Sequence, residues 1–257
     1  MGKRSQFNFR EPRFFLVFLT ILIAAVILFY FIASMITSVG YQTFAEASQT
    51  TVASEKTVTI ILDAGHGGED PGAIANGVTE KEINLTVTKK IAAFLKLSGY
   101  NVRLTRESDR LLYNDGEEAR KKFFDLYNRV KIAAGEFNAI FISIHMNKFP
   151  IESCKGLQTF YSTNHHSNQE LANIIQESNR LLNAENKRKP KEDPGTIYVL
   201  KNLEIPSVLI ECGFLSNPEE AKMLSDINYQ EDLAFTIYCG IIQFLQENQI
   251  ENQLYLQ

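Results

Sequence analysis

The chain has 257 residues, of which 45% are hydrophobic and 22% are charged, and these values are ordinary for a globular protein. The net charge is −4 and no long basic run occurs, so we predict no nucleic-acid partner. The three cysteines, Cys154, Cys212 and Cys239, are too few and too widely spaced for a disulfide framework or a zinc knuckle. We therefore expect buried or half-buried free thiols.

The N-terminus carries a long apolar segment. No charged residue occurs from Phe14 to Val39, and a bilayer core needs about 20 apolar residues in a helix. Basic residues precede the segment, and none follows before Lys56, which favours a cytoplasmic N-terminus. We predict a basic cytoplasmic segment at 1–13 and a transmembrane anchor in the cytoplasmic membrane at 14–39.

A cleaved signal peptide is the alternative interpretation of this segment. The sequence Ala45–Ala47 has the small-x-small form of a cleavage site, although the apolar run is longer than a usual signal core. Both interpretations place the rest of the chain outside the cytoplasm. The protein would be tethered to the membrane, or secreted if residues 1–47 are removed.

Beyond a polar linker at 40–56, strand patterns alternate with helix patterns. The predicted strands are Thr57–Ala64, Tyr100–Arg106, Ala139–His145, Leu157–Ser162, Thr196–Leu200 and Ser207–Gly213. The predicted helices are 79–98, 117–134, Gln169–Leu182, Asn217–Leu224 and Asn228–Asn248, and the spacing of Thr79 and Glu82 predicts a capping box. This order predicts a single α/β domain at 57–248, with a mostly parallel central sheet flanked by helices on both faces, and a tail at 249–257.

Candidate ligands for a metal lie near the ends of three predicted strands, where open α/β sheets bind ligands. His66 follows the first strand, His145 ends the third, Glu211 lies in the last, and Glu80 is on the first turn of the first helix. Each has another interpretation: a structural histidine, a helix-dipole partner for Glu80, or an ion pair between Glu211 and Arg106. Together, two imidazoles and a carboxylate form a set that suits catalytic zinc and leaves a position open for water.

Glycines surround the first of these histidines. Gly65, Gly67 and Gly68 remove side-chain bulk and allow positive φ angles. We expect this freedom to let His66 turn its ring back over the strand ends. The alternative is an ordinary tight turn, which needs glycines but no histidine.

Four ordered blocks, "DAGHGGEDPGA", "TEKEINL", "SIHMN" and "IECGFLSNPEEA", resemble the zinc-dependent N-acetylmuramoyl-L-alanine amidases of bacterial cell walls (amidase type 3). The resemblance covers the chain from about Thr57 to Leu245 and is greatest to the germination-specific, spore-cortex type. It implies that Zn²⁺ is bound by His66, Glu80 and His145. It also implies that the enzyme hydrolyses the amide bond between N-acetylmuramic acid and L-alanine in peptidoglycan.

The resemblance assigns the catalytic carboxylate to Glu211, which would take a proton from water and deliver it to the departing amine. Zinc would lower the pKa of that water from about 15.7 to roughly 7. Asn147, two residues beyond His145, is a candidate for substrate binding or for capping a turn. His165 and His166 match no ligand position, so we expect them in a solvated loop or at a helix start.

The sequence also bears on regulation and on two alternative functions. No long insertion separates His145 from Glu211, which predicts an open groove, and a protein activator is a further candidate partner. A zinc carboxypeptidase or endopeptidase acting on stem peptides would use the same ligands. A catalytically inactive, membrane-tethered wall-binding protein is the third candidate, although it would have no use for Glu211 beside a metal.

Overall fold

The computed structural model describes residues 16–30, 56–136 and 138–254 of a chain that divides into two units, Met1–Glu55 and Lys56–Gln257. In the first unit, residues 16–30 form a helix, α1, whose apolar side chains are exposed. None of the helices within the described residues combines the length and the apolar character needed to cross a membrane. The remainder of the predicted anchor at 14–39, the basic segment at 1–13 and the linker up to residue 55 lie outside the described residues.

The second unit is an α/β domain, as predicted. Its strands are β1 (Lys56–Ala64), β2 (Ile74–Ala75), β3 (Val78–Thr79), β4 (Tyr100–Leu104), β5 (Ala139–Asn147), β6 (Gln158–Tyr161), β7 (Lys191–Glu192) and β8 (Ser207–Phe214). Its helices are α2 (Glu80–Leu97), α3 (Lys121–Ala134), α4 (Asn168–Ser178), α5 (Tyr198–Lys201), α6 (Pro218–Ser225) and α7 (Ile227–Leu254), with short 3₁₀ turns at Glu118–Arg120 and Asn179–Leu181.

The central sheet is mostly parallel, which confirms the prediction. Its strand order is β4-β1-β5-β8-β6-β7, and only β6 runs antiparallel to its neighbour β8. The short strands β2 and β3 form a separate antiparallel hairpin. Because β1, β5 and β8 are parallel neighbours, their carboxyl ends meet at one edge of the sheet, where the candidate site lies.

Helices cover both faces of the sheet because alternate residues of each strand point to opposite sides. Ile60 of β1 belongs to a large apolar core that also contains residues of α2, α4 and α7. Its neighbour Ile61 belongs to a smaller core with Ala133 of α3 and Val199 of α5. The predicted layering of helices on both faces is thereby confirmed.

The segment Thr196–Leu200, predicted as a strand, instead contains the start of helix α5, so this prediction is wrong. The cause is the carboxylate of Asp193, which accepts hydrogen bonds from the backbone nitrogens of Thr196 at 3.1 Å and Ile197 at 3.0 Å. The Thr196 hydroxyl also donates to it at 2.6 Å. This local side-chain turn overrides the strand preference of the β-branched residues.

The start of α2 also differs from the prediction. The prediction of Thr79 as the N-cap residue is confirmed, but its side chain makes no capping hydrogen bond, so the predicted capping box itself is wrong. The backbone nitrogens of Glu80 and Lys81 instead donate to the carbonyl oxygens of Ala73 at 2.9 Å and Pro71 at 3.1 Å. The glycine-rich turn thus satisfies the first free donors of the helix and fixes Glu80 beside that turn.

Two predictions made outside the site are confirmed. The cysteines are free thiols, with Cys212 buried and the other two half-buried. His165 and His166 stack in the turn before α4, with ring centroids 4.4 Å apart. The backbone nitrogen of Ser167 donates to His165 Nδ1 at 3.2 Å, which places this histidine at the start of the helix.

Candidate active site

His66 follows β1 in the left-handed backbone region, with a φ of +62°, which is uncommon for a residue other than glycine. Two buried arginines hold this conformation. Arg129 donates to the carbonyl oxygens of Ala64 at 2.7 Å and His66 at 2.8 Å. Arg106 donates to those of Ala64 at 2.8 Å and Gly65 at 3.0 Å. The guanidinium groups therefore fix three consecutive carbonyl groups. The backbone held in this way sets the direction in which the His66 side chain leaves the turn.

Two glycines allow the candidate ligands to meet. A Cβ atom on Gly65 would lie 2.2 Å from the ring of His145. A Cβ atom on Gly72 would lie 2.4 Å from Glu80 Oε2 and 2.7 Å from His66 Cδ2. Any larger residue at either position would displace a candidate ligand.

The structure brings His66, Glu80 and His145 together. Glu80 Oε1 lies 3.2 Å from His66 Nε2 and 2.9 Å from His145 Nδ1, and the two imidazole rings meet edge to face at 4.9 Å. One ligand atom from each residue lies within 4.8 Å of the others. These three residues form a group that could hold a metal ion, and no second such group occurs within the described part of the chain.

Hydrogen-bond donors surround Glu80. Its Oε2 accepts from the backbone nitrogen of Ala73 at 2.7 Å, and its Oε1 accepts from that of Met146 at 3.1 Å and from Asn84 Nδ2 at 3.2 Å. Burial alone would raise the pKa of Glu80, but hydrogen bonds and charge from the two imidazoles outweigh it and lower that pKa well below its usual range. Glu80 is therefore ionised, as a metal ligand must be.

Asp70 orients His66. The Nδ1 atom of His66 donates to Asp70 Oδ2 at 2.8 Å, and the ammonium group of Lys122 bonds the same oxygen. This contact leaves Nε2 facing Glu80, in the arrangement by which second carboxylates fix metal-binding histidines. Burial lowers the pKa of His66, but hydrogen bonds and charge from Asp70 and Glu80 raise it to about 9.

Glu211 lies beside His145, because the two residues are partners in the register of β5 and β8. Its Oε2 atom is buried and has no hydrogen-bond partner within the described residues. Burial and the charge of Glu80 raise the pKa of Glu211 to about 7, against the opposing effect of the two imidazoles. A buried carboxylate oxygen without a partner within the described residues, next to a set of candidate metal ligands, fits a site that takes up a cation and water.

The alternative ion pair between Glu211 and Arg106 is wrong. The guanidinium group of Arg106 is used by backbone carbonyl oxygens, including that of Lys81 at 2.9 Å. Its buried position beneath the turn makes it a support for the backbone.

A buried charge network lies under the His66 turn, and no motif or spacing in the sequence indicates it. Asp63 accepts hydrogen bonds from Arg129 at 2.5 Å, Thr105 at 2.7 Å and Ser143 at 2.7 Å. Asp125 adds a second ion pair to Arg129 at 3.0 Å. Burial would raise the pKa of Asp63, but Arg129 and the hydroxyl donors lower it, so the pair is charged and fully satisfied.

Asn147, the candidate for substrate binding, ends β5 in register with Phe214. Its carbonyl oxygen accepts from the backbone nitrogen of Leu215 at 2.8 Å, and the residue is half-buried. Its role toward substrate stays a prediction.

The imidazoles are reachable from solvent, with side-chain exposures of 20% for His66 and 18% for His145. Both line a cavity of about 150 Å³, whose wall also includes Lys122 of α3 and Tyr198 of α5. A ligand in this cavity would therefore touch two of the candidate metal ligands and two helices on the same face of the sheet.

Comparisons with known proteins agree with this geometry. A model of the N-acetylmuramoyl-L-alanine amidase family matches residues 60–243. The germination-specific N-acetylmuramoyl-L-alanine amidase of Bacillus subtilis (strain 168) is 39% identical over 190 residues, covering 73% of this chain and 80% of that relative.

Two solved structures are also similar. The CwlD amidase of Clostridioides difficile, in complex with the GerS lipoprotein, is 44% identical with a TM-score of 0.68, covering 73% of this chain and 98% of that one. The amidase AmiC2 of Nostoc punctiforme is 29% identical with a TM-score of 0.63, covering 74% of this chain and 98% of that one.

Proposed function

Because the chain belongs to the N-acetylmuramoyl-L-alanine amidase family, we propose that His66, Glu80 and His145 bind a zinc ion and that Glu211 carries the catalytic protons. The protein is a peptidoglycan amidase, and the bond it hydrolyses joins N-acetylmuramic acid to L-alanine of the stem peptide. The observation that supports the proposed roles is the meeting of three ligand atoms within 4.8 Å beside the unpartnered oxygen of Glu211.

The ligand set suits zinc. Two imidazole nitrogens and one carboxylate oxygen are typical of catalytic zinc sites, in which three protein ligands leave a fourth position open. When bound, zinc supplies Lewis acidity, which polarises the substrate carbonyl and lowers the pKa of a water molecule. The hydrogen bond from His66 to Asp70 would hold the first imidazole in the required orientation.

Glu211 has the properties of a proton carrier. A group with a pKa of about 7 accepts and releases protons readily near neutral pH. Glu211 would accept a proton from the attacking water and then donate it to the nitrogen of L-alanine as the amide bond breaks. An amine leaves poorly without that proton, so the transfer is needed for turnover.

The cellular setting is part of the proposal. Peptidoglycan lies outside the cytoplasmic membrane, and the basic N-terminus followed by an apolar run suits export with or without a retained tether. The Bacillus subtilis relative is named as germination-specific, which favours spore cortex as the wall that is cut. The complex of the Clostridioides difficile amidase with a lipoprotein favours a protein partner here as well.

Product analysis on purified peptidoglycan tests the proposal. Intact stem peptides that begin with L-alanine should be released, and a chelator should stop their release until zinc is restored. Cuts within the stem peptides would instead identify a peptidase, and binding without any product would identify an inactive wall-binding protein. Unchanged amidase activity after complete metal removal would refute the zinc site but not the amidase function.

A further inference from the structure

An exposed aromatic cluster lies on the outer face of α3. Phe123 and Tyr127 are 38% and 44% exposed, and their rings are nearly parallel, with centroids 6.1 Å apart and an interplanar angle of 15°. Tyr198 at the start of α5 meets Phe123 edge-on at 6.2 Å. The cluster therefore joins two helices on one face of the sheet. None of its residues is among the proposed ligands or the proposed catalytic residue.

The cluster adjoins the candidate site. Lys122, the residue before Phe123, bonds Asp70, which in turn holds His66. Tyr198 lines the same cavity of about 150 Å³ as the two metal-binding imidazoles. A substrate that extends sideways from this cavity along α3 would reach the aromatic rings.

Sugar rings match the chemistry of this surface. One face of a pyranose ring consists of C–H groups that pack on an aromatic ring, while its edges carry hydroxyl and acetamido groups that need hydrogen-bond partners. The guanidinium carbon of Arg120 lies over the ring of Phe123, 4.3 Å from its centroid. Arg120 therefore covers one face of that ring and brings hydrogen-bond donors to the cluster. Tyr127 has the more exposed ring and also carries a hydroxyl group.

We propose that the aromatic cluster of Phe123, Tyr127 and Tyr198 binds the glycan strand of peptidoglycan beside the cleavage site. The inference rests on the proposed function, because the bond that is cut attaches the stem peptide directly to a sugar. That sugar must lie next to the metal-binding group, and its neighbours along the strand must cross the adjacent surface. The cluster would hold one of these neighbouring sugars and so favour polymeric substrate over small fragments.

The test compares two substrates in the full-length protein carrying Phe123→Ala and Tyr127→Ala together. One substrate is solubilised peptidoglycan with long glycan strands, and the other is a single N-acetylmuramic acid that carries a stem peptide. We expect the KM for the long strands to rise by about tenfold, with kcat and hydrolysis of the single-sugar substrate little changed. The conservative pair Phe123→Tyr and Tyr127→Phe keeps both rings and should retain the wild-type KM.

Phe235→Ala is the matched control. Phe235 is 47% exposed and lies in a second aromatic cluster with Phe94 and Tyr238, on α2 and α7 at the opposite face of the sheet. It should leave both substrates unaffected, and thermal unfolding followed by circular dichroism should confirm that all variants fold.

Three results would overturn the inference: an unchanged KM for long strands, an equal loss on both substrates, or the same effect from Phe235→Ala. A variant that keeps its KM for long strands but no longer binds a partner protein would assign the cluster to that partner instead. Failure of the wild-type protein to release stem peptides from either substrate would refute the proposed function itself, so the two failures are distinguishable.

Discussion

Glu80 and Glu211 are two glutamates of one site, the first buried and the second half-buried, and their surroundings differ. Glu80 lies at the start of α2, where backbone nitrogens and an asparagine side chain donate to its carboxylate. Glu211 lies in β8 with one buried oxygen that has no hydrogen-bond partner among the described residues. The pKa of Glu80 is lowered and that of Glu211 is raised, although both carboxylates lie close to the same imidazoles.

The difference fits the two roles proposed for this residue type within one site. Donors that favour the ionised form suit a carboxylate that must stay bound to a cation, while burial without donors suits one that must gain and lose a proton. The surroundings, rather than the side chain, therefore separate the proposed ligand from the proposed acid and base.

Glu80→Gln should have the largest effect and would test the donor-rich side of this comparison. The amide is a weaker ligand than a carboxylate, and its NH₂ group would face the backbone nitrogens of Ala73 or Met146. We expect both zinc binding and turnover to be lost, and His145→Ala should behave in the same way. Metal content by mass spectrometry and amide hydrolysis measure the two losses, and a zinc-loaded, active Glu80→Gln protein would contradict the assignment.

Glu211→Gln makes the same substitution on the donor-poor side. Zinc content should be retained, because Glu211 is not one of the three proposed ligands, but kcat should fall by about a hundred- to ten-thousandfold with the loss of acid–base catalysis. The measurement is kcat for amide hydrolysis by the wild-type and Glu211→Gln proteins at equal zinc content. Retained turnover would remove Glu211 from its proposed role, and loss of zinc would make it a ligand instead.

Asp70→Asn should have a smaller effect, because it changes the orientation of a ligand without removing one. The variant weakens the hydrogen bond that fixes His66, and zinc affinity should fall by about ten- to hundredfold. Asp109→Asn is the matched control, since Asp109 bonds Gly68 of the same turn at 2.7 Å but no imidazole. Equal zinc affinities of the two variants, measured against a competing chelator, would exclude the orienting role.

The sequence predicted the strands that carry the site and the convergence of their ends, because apolar runs mark buried strands and parallel neighbours place their carboxyl ends together. His66 and His145 follow from that rule. The hairpin β2–β3 and the pairing of β7 with β6 were not predicted, because two-residue strands leave no periodic pattern.

The buried arginine support was also beyond sequence reasoning. Arg129 reaches the carbonyl oxygen of His66 across 63 positions of the chain, and Arg106 reaches that of Gly65 across 41. Bonds from a side chain to a distant backbone group leave no spacing signal, and Arg129 lies among the charges of an amphipathic helix. Asp70 had a weak signal, since a carboxylate four residues from a candidate ligand histidine can accept a hydrogen bond from its ring.

The pH dependence of zinc affinity is the smallest expected effect, about tenfold for each pH unit, and it tests the protonation of His66 and of Glu211. In the metal-free protein the pKa of His66 is raised to about 9, so near neutral pH its Nε2 carries a proton that zinc must displace. Because binding releases that proton, affinity should rise by about tenfold for each pH unit up to about pH 9 and then level off. Competition with a chelator, corrected for the protonation of the chelator itself, measures this slope.

Glu211 should add a second proton to the same titration. Below its pKa of about 7 the residue is protonated in the metal-free protein, and a cation placed nearby favours its ionised form. The dependence should therefore steepen below about pH 7 in the wild-type protein, and Glu211→Gln should remove only this added steepness. Asp70→Asn should lower the pH at which the affinity levels off, because it removes a carboxylate that raises the pKa of His66. A slope of zinc affinity against pH near zero, from neutral pH to about pH 9, would contradict the charged state assigned to His66. If Glu211→Gln leaves the slope below about pH 7 unchanged, the difference between the two glutamates is contradicted.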